Sequence, residues 1–263
     1  MAEPLGADAL VLLDRPCAGV ARLTLNRPGA RNALNSALRQ ALAEAFDALE
    51  TDTEARCVVL RGSGGCFAAG ADIKEIAALD AGAVSRLPVL RTWKSIADFG
   101  KPLIAAVAGP ALGGGCELAQ HADIIVAARS ARFGQPEVGV GIMPGGGATQ
   151  RLVRALGYWR AMRLLLSGEP VTADEALAMG LASEVVDDEV LDDHALALAR
   201  HIATRPPRAL RLIKQVAQAG ADASLAGGLL LERRAFELLF DTQDQKEGMR
   251  AFAERRAPVF TGQ

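Results

Sequence analysis

Residues 102–117 read PLIAAVAGPALGGGCE, an apolar run followed by three glycines and a glutamate. The apolar run is short, partly β-branched and closed by a Gly-Pro pair, which predicts a buried strand. The glycines predict the start of a helix, where backbone N–H groups lack an intrahelical partner and another molecule can approach the main chain closely. Free N–H donors beside the carboxylate of Glu117 indicate acid–base chemistry next to a polarised oxygen.

A second glutamate and a second loop of small residues extend this pattern. Glu137 lies in the segment FGQPE at residues 133–137. The segment CFAAGADIK, residues 66–74, follows another strand-like run and precedes a helix that Asp72 is suited to cap. Two such loops can supply two N–H donors to one oxygen. The structural alternative is that the glycines only permit close packing and that the first glutamate is an ordinary solvated side chain.

These motifs, taken in order, resemble the enoyl-CoA hydratase/isomerase superfamily, also called the crotonase superfamily. The motifs that carry the resemblance are FAAGADIKE at residues 67–75, ALGGGCELA at 111–119, FGQPE at 133–137 and MPG at 143–145. The resemblance covers nearly the whole chain, from LNRP at residues 25–28 and RNALN at 31–35 to EGMRAF at 247–252. Several motifs in the family's order are far more specific than a lone glycine-rich loop.

The hydrophobic pattern predicts an α/β protein up to about residue 190 and helices alone after it. Individual elements are predicted as strands at residues 9–13 and 20–25, a helix over 32–53, a helical stretch over 81–99, an extended piece over 132–138 that carries Glu137, and a helix over 148–156. The resemblance implies a more specific architecture, a crotonase-like spiral of β-β-α turns with a C-terminal all-helical oligomerisation region. We therefore divide the chain into a core with the active site, residues 1–190, and a helical trimerisation region, residues 191–263.

The resemblance also implies a role for each residue that matches a family motif. The backbone N–H groups of Ala71 and Gly114 would form an oxyanion hole for a thioester oxygen. Glu117 would activate a water molecule, and Glu137 would supply a proton to C2 of the substrate. The N–H of Gly145 would help to hold the water.

Coenzyme A (CoA) enters as part of the substrate, and we expect no separate cofactor and no metal. The resemblance implies contacts to CoA from Ala69, Ala71, Asp72, Ile73, Lys74, Gly114, Arg27, Arg31, Phe236 and Arg255. Lys74 is suited to a phosphate group. The resemblance places Phe236 and Arg255 against CoA that is bound to a neighbouring subunit. The alternative for Arg255 is an ordinary solvated charge on a helix.

Composition excludes several other classes of protein. The chain has 263 residues, of which 50% are hydrophobic and 23% charged, and its net charge of −2 provides no basic field for nucleic acid or an anionic membrane. The four cysteines show no C-x-x-C pair or metal-ligand spacing, so we expect reduced thiols and a cytoplasmic protein. No signal-peptide pattern and no apolar run of about 20 residues is present, so we expect no membrane association.

The resemblance predicts an enoyl-CoA hydratase, a hydro-lyase that adds water syn across the 2,3 double bond of a trans-2-enoyl-CoA. Alternatives are a Δ3,Δ2-enoyl-CoA isomerase, another acyl-CoA enzyme of the family, or a non-catalytic member that binds CoA or RNA. The chain looks most similar to bacterial hydratases, including those of phenylacetate degradation that act on 2,3-didehydroadipyl-CoA; a short-chain β-oxidation hydratase is the near rival. The segment at residues 81–99 would select the acyl tail, and Arg86, Arg91 or Lys94 would meet a distal carboxylate.

The helical region after residue 190 carries more apolar residues than the surface of a single chain normally exposes. These residues are Leu229, Leu230, Phe236, Leu239, Phe240 and Phe252. The resemblance implies that they are covered by other copies of the chain, in a homotrimer or a dimer of trimers.

Overall fold

The strands of the computed structural model, which describes residues 9–263, form two sheets. The strands are β1 (Val11–Cys17), β2 (Val20–Leu25), β3 (Cys57–Gly62), β4 (Leu103–Val107), β5 (Pro110–Leu112), β6 (Ile124–Ala128), β7 (Arg132–Gly134), β8 (Val171–Thr172) and β9 (Glu184–Val186). The larger sheet has the order β1-β2-β3-β4-β6-β9, and the smaller sheet has the order β5-β7-β8. In the larger sheet β1 and β2 are antiparallel, and all later neighbours are parallel.

Helices cover the sheets and make up the rest of the ordered elements. They are α1 (Ser36–Thr51), α2 (Ile73–Ile76), α3 (Ala81–Ser85), α4 (Val89–Ala97), α5 (Gly114–Gln120), α6 (Ala148–Leu156), α7 (Tyr158–Ser167), α8 (Ala173–Met179), α9 (Leu191–Ala203), α10 (Pro207–Ala221), α11 (Leu225–Leu239) and α12 (Gln243–Ala253). Short 3-10 turns lie at Pro28–Ala30, Pro136–Val140 and Asp188–Val190.

The larger sheet is buried on both faces, which explains why its central strands are almost wholly apolar. Side chains alternate between the two faces along each strand. In β3, Val58 and Leu60 lie in the main core with Phe46 of α1, whereas Cys57 and Val59 lie in a second core against α9. The α/β architecture expected from the sequence is therefore confirmed, with both faces of the sheet covered by helices.

Several helices begin at the side-chain caps that their sequences provide. The carboxylate of Asp72 accepts a hydrogen bond from the N–H of Lys74 at the start of α2, as predicted. Thr172 caps α8 in a capping box with Glu175. Helix α6 has the predicted bounds, Ala148–Leu156. These features depend on residues close together in the chain, so the sequence alone identifies them.

Two predicted elements at the amino-terminal end of the chain have different bounds. Strand β1 reaches Cys17 instead of ending at residue 13, because its antiparallel pairing with β2 continues to the pair Cys17 and Val20, with a bulge after Asp14. Helix α1 begins only at Ser36. Asn32, with φ near 54°, lies in the left-handed region that interrupts a right-handed helix.

Proline residues account for two further differences. The helical stretch predicted over residues 81–99 is divided into α3 and α4, because Pro88 lies at the boundary between them. The extended piece predicted over residues 132–138 ends after β7, and Pro136 begins the 3-10 turn that carries Glu137. Glu137 is therefore held on a tight turn and not on a strand.

The chain after Val190 is helical, as predicted, but its first helix differs from the others in its packing. Leu191, Ala195 and Ala199 of α9 are buried against the larger sheet, whereas α11 contains no buried residue. Helix α9 therefore packs with the core that precedes it, although the predicted boundary assigns it to the helical region. The division of the chain at residue 190 stays a prediction. Among residues 9–263, no helix is long and apolar enough to cross a membrane.

Candidate active site

Within residues 9–263, the backbone N–H groups of Ala71 and Gly114 donate to no backbone acceptor, and they lie close together at the start of α5. Gly114 is the first residue of α5, so its N–H has no intrahelical partner. Ala71 follows Gly70, whose positive φ of 109° turns the chain ahead of α2. A Cβ atom placed on Gly114 would lie 3.6 Å from the nitrogen of Ala71. The two N–H groups expected to form an oxyanion hole are thus neighbours across the two loops.

The three glycines at residues 113–115 serve different purposes. A Cβ on Gly115 would lie 2.1 Å from the carbonyl oxygen of Ala68, so this glycine permits the helix to pack on the neighbouring loop. Gly113 has a positive φ of 50°, and a Cβ there would lie 2.8 Å from Oε1 of Glu137. The glycines therefore permit close packing at Gly115 and leave room for the carboxylate of Glu137 at Gly113.

Glu117 is the buried carboxylate of the site, with 3% of its surface exposed. Its Oε1 accepts hydrogen bonds from the N–H of Gly146 at 2.6 Å and of Ala148 at 3.1 Å. Burial raises the pKa of Glu117, and these two donors oppose that rise by stabilising the ionised form. Both donors bind Oε1, so Oε2 retains its capacity to accept from another molecule.

Glu137 is partly buried and lines the same cavity as Glu117. Burial raises the pKa of Glu137 to about 7, and the neighbouring charge of Glu117 adds to the rise. The side-chain amide of Gln135 is buried between Gln120 and Glu137. In the orientation that satisfies both neighbours, its nitrogen lies 3.2 Å from each carboxylate oxygen of Glu137. Two carboxyl groups with different environments therefore face one space, which suits one acid and one base.

The cavity that contains both carboxylates has a volume of about 540 Å³. Ala71, Gly114 and Gly145 line it, together with the two glutamates. Its apolar lining consists of Leu34, Ile73, Ile76, Leu79, Val84, Leu87, Val89, Trp93, Val140, Ile142 and Met143. Helices α3 and α4 contribute part of this lining, and the selection of an acyl tail that the family resemblance implies for residues 81–99 stays a prediction. An apolar chamber beside polar reacting groups suits an acyl chain.

His121 lies behind the cavity and does not belong to the acid–base pair. Its ring stacks on Trp93 with a centroid distance of 5.1 Å and an interplanar angle of 4°. Burial, followed by the charge of Arg151, lowers the pKa of His121 to about 4. The imidazole is therefore neutral at physiological pH and supports the cavity wall.

The residues expected to contact CoA around α2 have partners of their own in the structure. The guanidinium of Arg27 donates to Asp72 at 2.7 Å and to the carbonyl of Ala33 at 2.9 Å. The N–H of Ala69 donates to the carbonyl of Arg31 at 3.0 Å. These contacts hold the loop before α2, whereas Lys74 and Ile73 are exposed beside it. Contact of any of these residues with CoA stays a prediction.

Phe236 and Arg255 do not line the cavity of their own chain. Phe236 lies on α11 and is 49% exposed, and Arg255 follows α12 and is also exposed. The sequence-based hypothesis assigns both residues to CoA that is bound to a neighbouring subunit. That role stays a prediction.

The cations proposed for a distal carboxylate lie on the surface, outside the cavity. Arg91 pairs with Asp47 at 3.4 Å, and Lys94 pairs with Asp98 in the next turn of the chain. Arg86 is exposed as well. The proposal for these three residues was therefore wrong for this cavity.

The cavity instead contains a cation that the sequence reasoning did not identify, Arg39. Helical spacing offered a signal, because residue 39 shares a face with Leu42 and Phe46, which are buried in the core. An arginine on the buried face of an amphipathic helix is unusual.

Two N–H donors beside two carboxyl groups form an arrangement that suits an enzyme that polarises a carbonyl group and transfers protons next to it. Comparison with known proteins gives the class more narrowly. The enoyl-CoA hydratase/isomerase family model matches residues 15–263, and the chain belongs to this family.

Curated relatives match the chain over most of its length. The 2,3-dehydroadipyl-CoA hydratase of Escherichia coli is 46% identical over 240 residues, which is 91% of this chain and 94% of that protein. The short-chain-enoyl-CoA hydratase of Clostridium acetobutylicum is 42% identical over 240 residues, 90% of this chain and 92% of that protein.

Solved structures confirm the fold. An enoyl-CoA hydratase from Bacillus anthracis has a TM-score of 0.93 at 36% identity, covering 97% of this chain and all 100% of that one. A structure from Geobacillus kaustophilus has a TM-score of 0.93 at 42% identity, covering 97% of this chain and 98% of the other. The crotonase-like architecture inferred from the sequence motifs is therefore confirmed.

Proposed function

We propose that the protein is an enoyl-CoA hydratase, which adds water across the 2,3 double bond of a 2-enoyl-CoA thioester to give a 3-hydroxyacyl-CoA. The observation that carries the proposal is the arrangement of Glu117 and Glu137 in one cavity with two free N–H groups. The names of the relatives support the same reaction. The E. coli relative is named for a six-carbon acyl chain that ends in a carboxylate.

In the proposed reaction the thioester oxygen lies between the N–H groups of Ala71 and Gly114. Negative charge develops on this oxygen as water attacks C3, so donors held in place stabilise the transition state more than the ground state. One donor of this kind lowers the activation barrier by about 3 kcal/mol. The position of Gly114 at the start of α5 adds the positive end of the helix dipole.

The two glutamates divide the proton transfers. Oε2 of Glu117 accepts the proton of the attacking water as the bond from oxygen to C3 forms. Glu137, whose raised pKa of about 7 leaves a substantial protonated fraction at neutral pH, gives its proton to C2. The N–H of Gly145, at the cavity wall, is suited to orient the water. The syn outcome follows if both carboxyl groups act on one face of the double bond.

A panel of trans-2-enoyl-CoA thioesters tests the reaction. Hydration removes the conjugated thioester, so the absorbance of that chromophore should fall on addition of the protein. Thioesters with the double bond at C3 test the isomerase alternative, because isomerisation creates the same chromophore. A rise with the 3-enoyl substrates, without a fall with the 2-enoyl series, would contradict the proposal.

The proposed role of Glu137 predicts a dependence on pH. The protonated form is the active one, so kcat/KM should fall as pH rises through about 7, the pKa of this group in the free protein. Initial rates at low substrate concentration, measured from about pH 5 to about pH 9, follow this fall in kcat/KM across the range in which the two coupled carboxyl groups titrate. Glu189→Gln, at an exposed position, should leave the profile in place. A rate that stays constant through neutral pH would remove Glu137 as the acid.

We further propose that the protein assembles as a homotrimer or a dimer of trimers through its helical region. Leu230 is 60% exposed and Phe252 is 87% exposed in the single chain. Large apolar side chains at this density on α11 and α12 indicate a surface that another copy covers. Light scattering at low micromolar concentration should therefore give a mass well above the 27.5 kDa of one chain. A stable, active monomer would exclude the assembly.

The same assembly predicts the effect of a change at Arg255. Arg255→Ala should raise KM for the acyl-CoA while leaving the oligomer and kcat close to those of the unmodified protein, because the side chain would contact CoA and not the reacting atoms. Steady-state kinetics, combined with light scattering, separate these effects. An unchanged KM would assign Arg255 to the solvated surface.

A further inference from the structure

Arg39 is a buried cation in the wall of the catalytic cavity. It lies on α1, is 7% exposed, and lines the same cavity as Glu117. Its Nε donates to the carbonyl of Leu34 at 3.3 Å, whereas its buried Nη1 has no hydrogen-bond partner within the described chain. A charged nitrogen removed from water without a partner is costly, so such a group usually has a binding partner in the working protein.

The nearby acids are not the missing partner. Glu75 and Glu117 both attract the Arg39 charge, but neither forms an ion pair with it in the part of the chain that the structure describes. Each of these carboxylates binds backbone N–H groups instead. Glu75 accepts from the N–H of Ser36 at 2.9 and 3.1 Å, and Glu117 accepts from the loop before α6.

The guanidinium is held in a defined position. It lies over the ring of Trp93, 5.3 Å from the centroid, and Trp93 stacks in turn on His121. A Cβ on Gly114 would lie 3.6 Å from Nη2 of Arg39, so the cation is close to the oxyanion hole. A group bound by Arg39 must therefore be near the thioester, within reach of a short acyl chain.

We propose that Arg39 is a specificity-determining residue that binds a carboxylate at the end of a short acyl chain. The proposal rests on the proposed function, because the acyl chain must occupy this cavity. A guanidinium presents parallel N–H donors that match the two oxygens of a carboxylate, and the surrounding apolar wall strengthens that contact. The protein would then prefer 2-enoyl-CoA thioesters with an anionic tail over alkyl thioesters of the same length.

Binding of unreactive, saturated thioesters tests the proposal without turnover. Adipoyl-CoA and hexanoyl-CoA have the same chain length and differ in the terminal carboxylate. Isothermal titration calorimetry should show a preference of about 10- to 100-fold for adipoyl-CoA, as expected for a charge-assisted hydrogen-bonded pair. Arg39→Met should remove this preference. Arg39→Lys should retain part of it, because lysine keeps the positive charge but lacks the parallel N–H donors of the guanidinium.

Arg91→Met is the matched control. Arg91 contacts Gln40, the neighbour of Arg39, but its side chain is exposed, so this variant should keep the preference of the unmodified protein. Circular dichroism establishes that each variant is folded. Equal affinities for the two thioesters in the unmodified protein would overturn the proposal. A preference that survives Arg39→Met would also overturn it, as would an equal loss of affinity for both ligands.

Hydration rates of the corresponding trans-2-enoyl-CoA thioesters are measured separately. The ratio of kcat/KM for the anionic tail to that for the alkyl tail should follow the binding preference in all variants. If neither substrate is hydrated, the proposed function is overturned. The binding comparison would still decide whether Arg39 recognises the carboxylate.

Discussion

Glu117→Gln should lower kcat by about 100-fold or more and leave the protein folded. The amide oxygen can still accept from the N–H groups of Gly146 and Ala148, so the loop before α6 keeps its hydrogen bonds. The amide cannot accept the proton of the attacking water. Glu137→Gln should have an effect of similar size, because an amide at that position cannot give up a proton to C2.

Kinetics of the two variants, with circular dichroism as the test of folding, provide the measurement. The double variant should lose little more than either single variant, since both residues act on one reaction centre and their effects are not additive. Glu189→Gln, which changes an exposed glutamate, is the matched control and should retain full turnover. Near-normal turnover after either substitution would remove that glutamate from the mechanism.

Gly114→Pro should lower kcat by about 100- to 1,000-fold, the usual loss for one oxyanion-hole donor. Proline has no N–H but is tolerated at the first position of a helix, which is where Gly114 lies in α5. Gly114→Ala is the matched comparison because alanine keeps the N–H. Its Cβ would lie 3.4 Å from Leu34 and 3.6 Å from Ala71, so it fits without a severe clash.

A ligand comparison tests the same donor without depending on the fold of the proline variant. The unmodified protein should bind an acyl-CoA thioester more tightly than the CoA thioether that lacks the carbonyl oxygen. Gly114→Ala should keep this difference in affinity. Equal affinity for thioester and thioether in the unmodified protein would falsify the oxyanion-hole assignment.

Features that depend on neighbouring residues could be predicted from the sequence. The apolar run before the glycines predicted β4, and the glycines predicted the start of α5. The cap at Asp72 was predicted because a side chain within three residues satisfies a free N–H group, and Thr172 caps α8 through a contact that is equally local. The order of several such motifs was enough to indicate the family and its fold.

Which of these residues share one space depends on how separate segments of the chain pack together. The nitrogen of Ala71 approaches Gly114 because two separate loops pack together, and the pKa of Glu137 rises because residues distant in the chain bury it. The same applies to the cations. Arg91 and Arg39 have equal charge in the sequence, but the fold buries Arg39 in the cavity wall and leaves Arg91 in water. Burial and electrostatic environment arise from contacts between distant parts of the chain, so a local pattern cannot specify them.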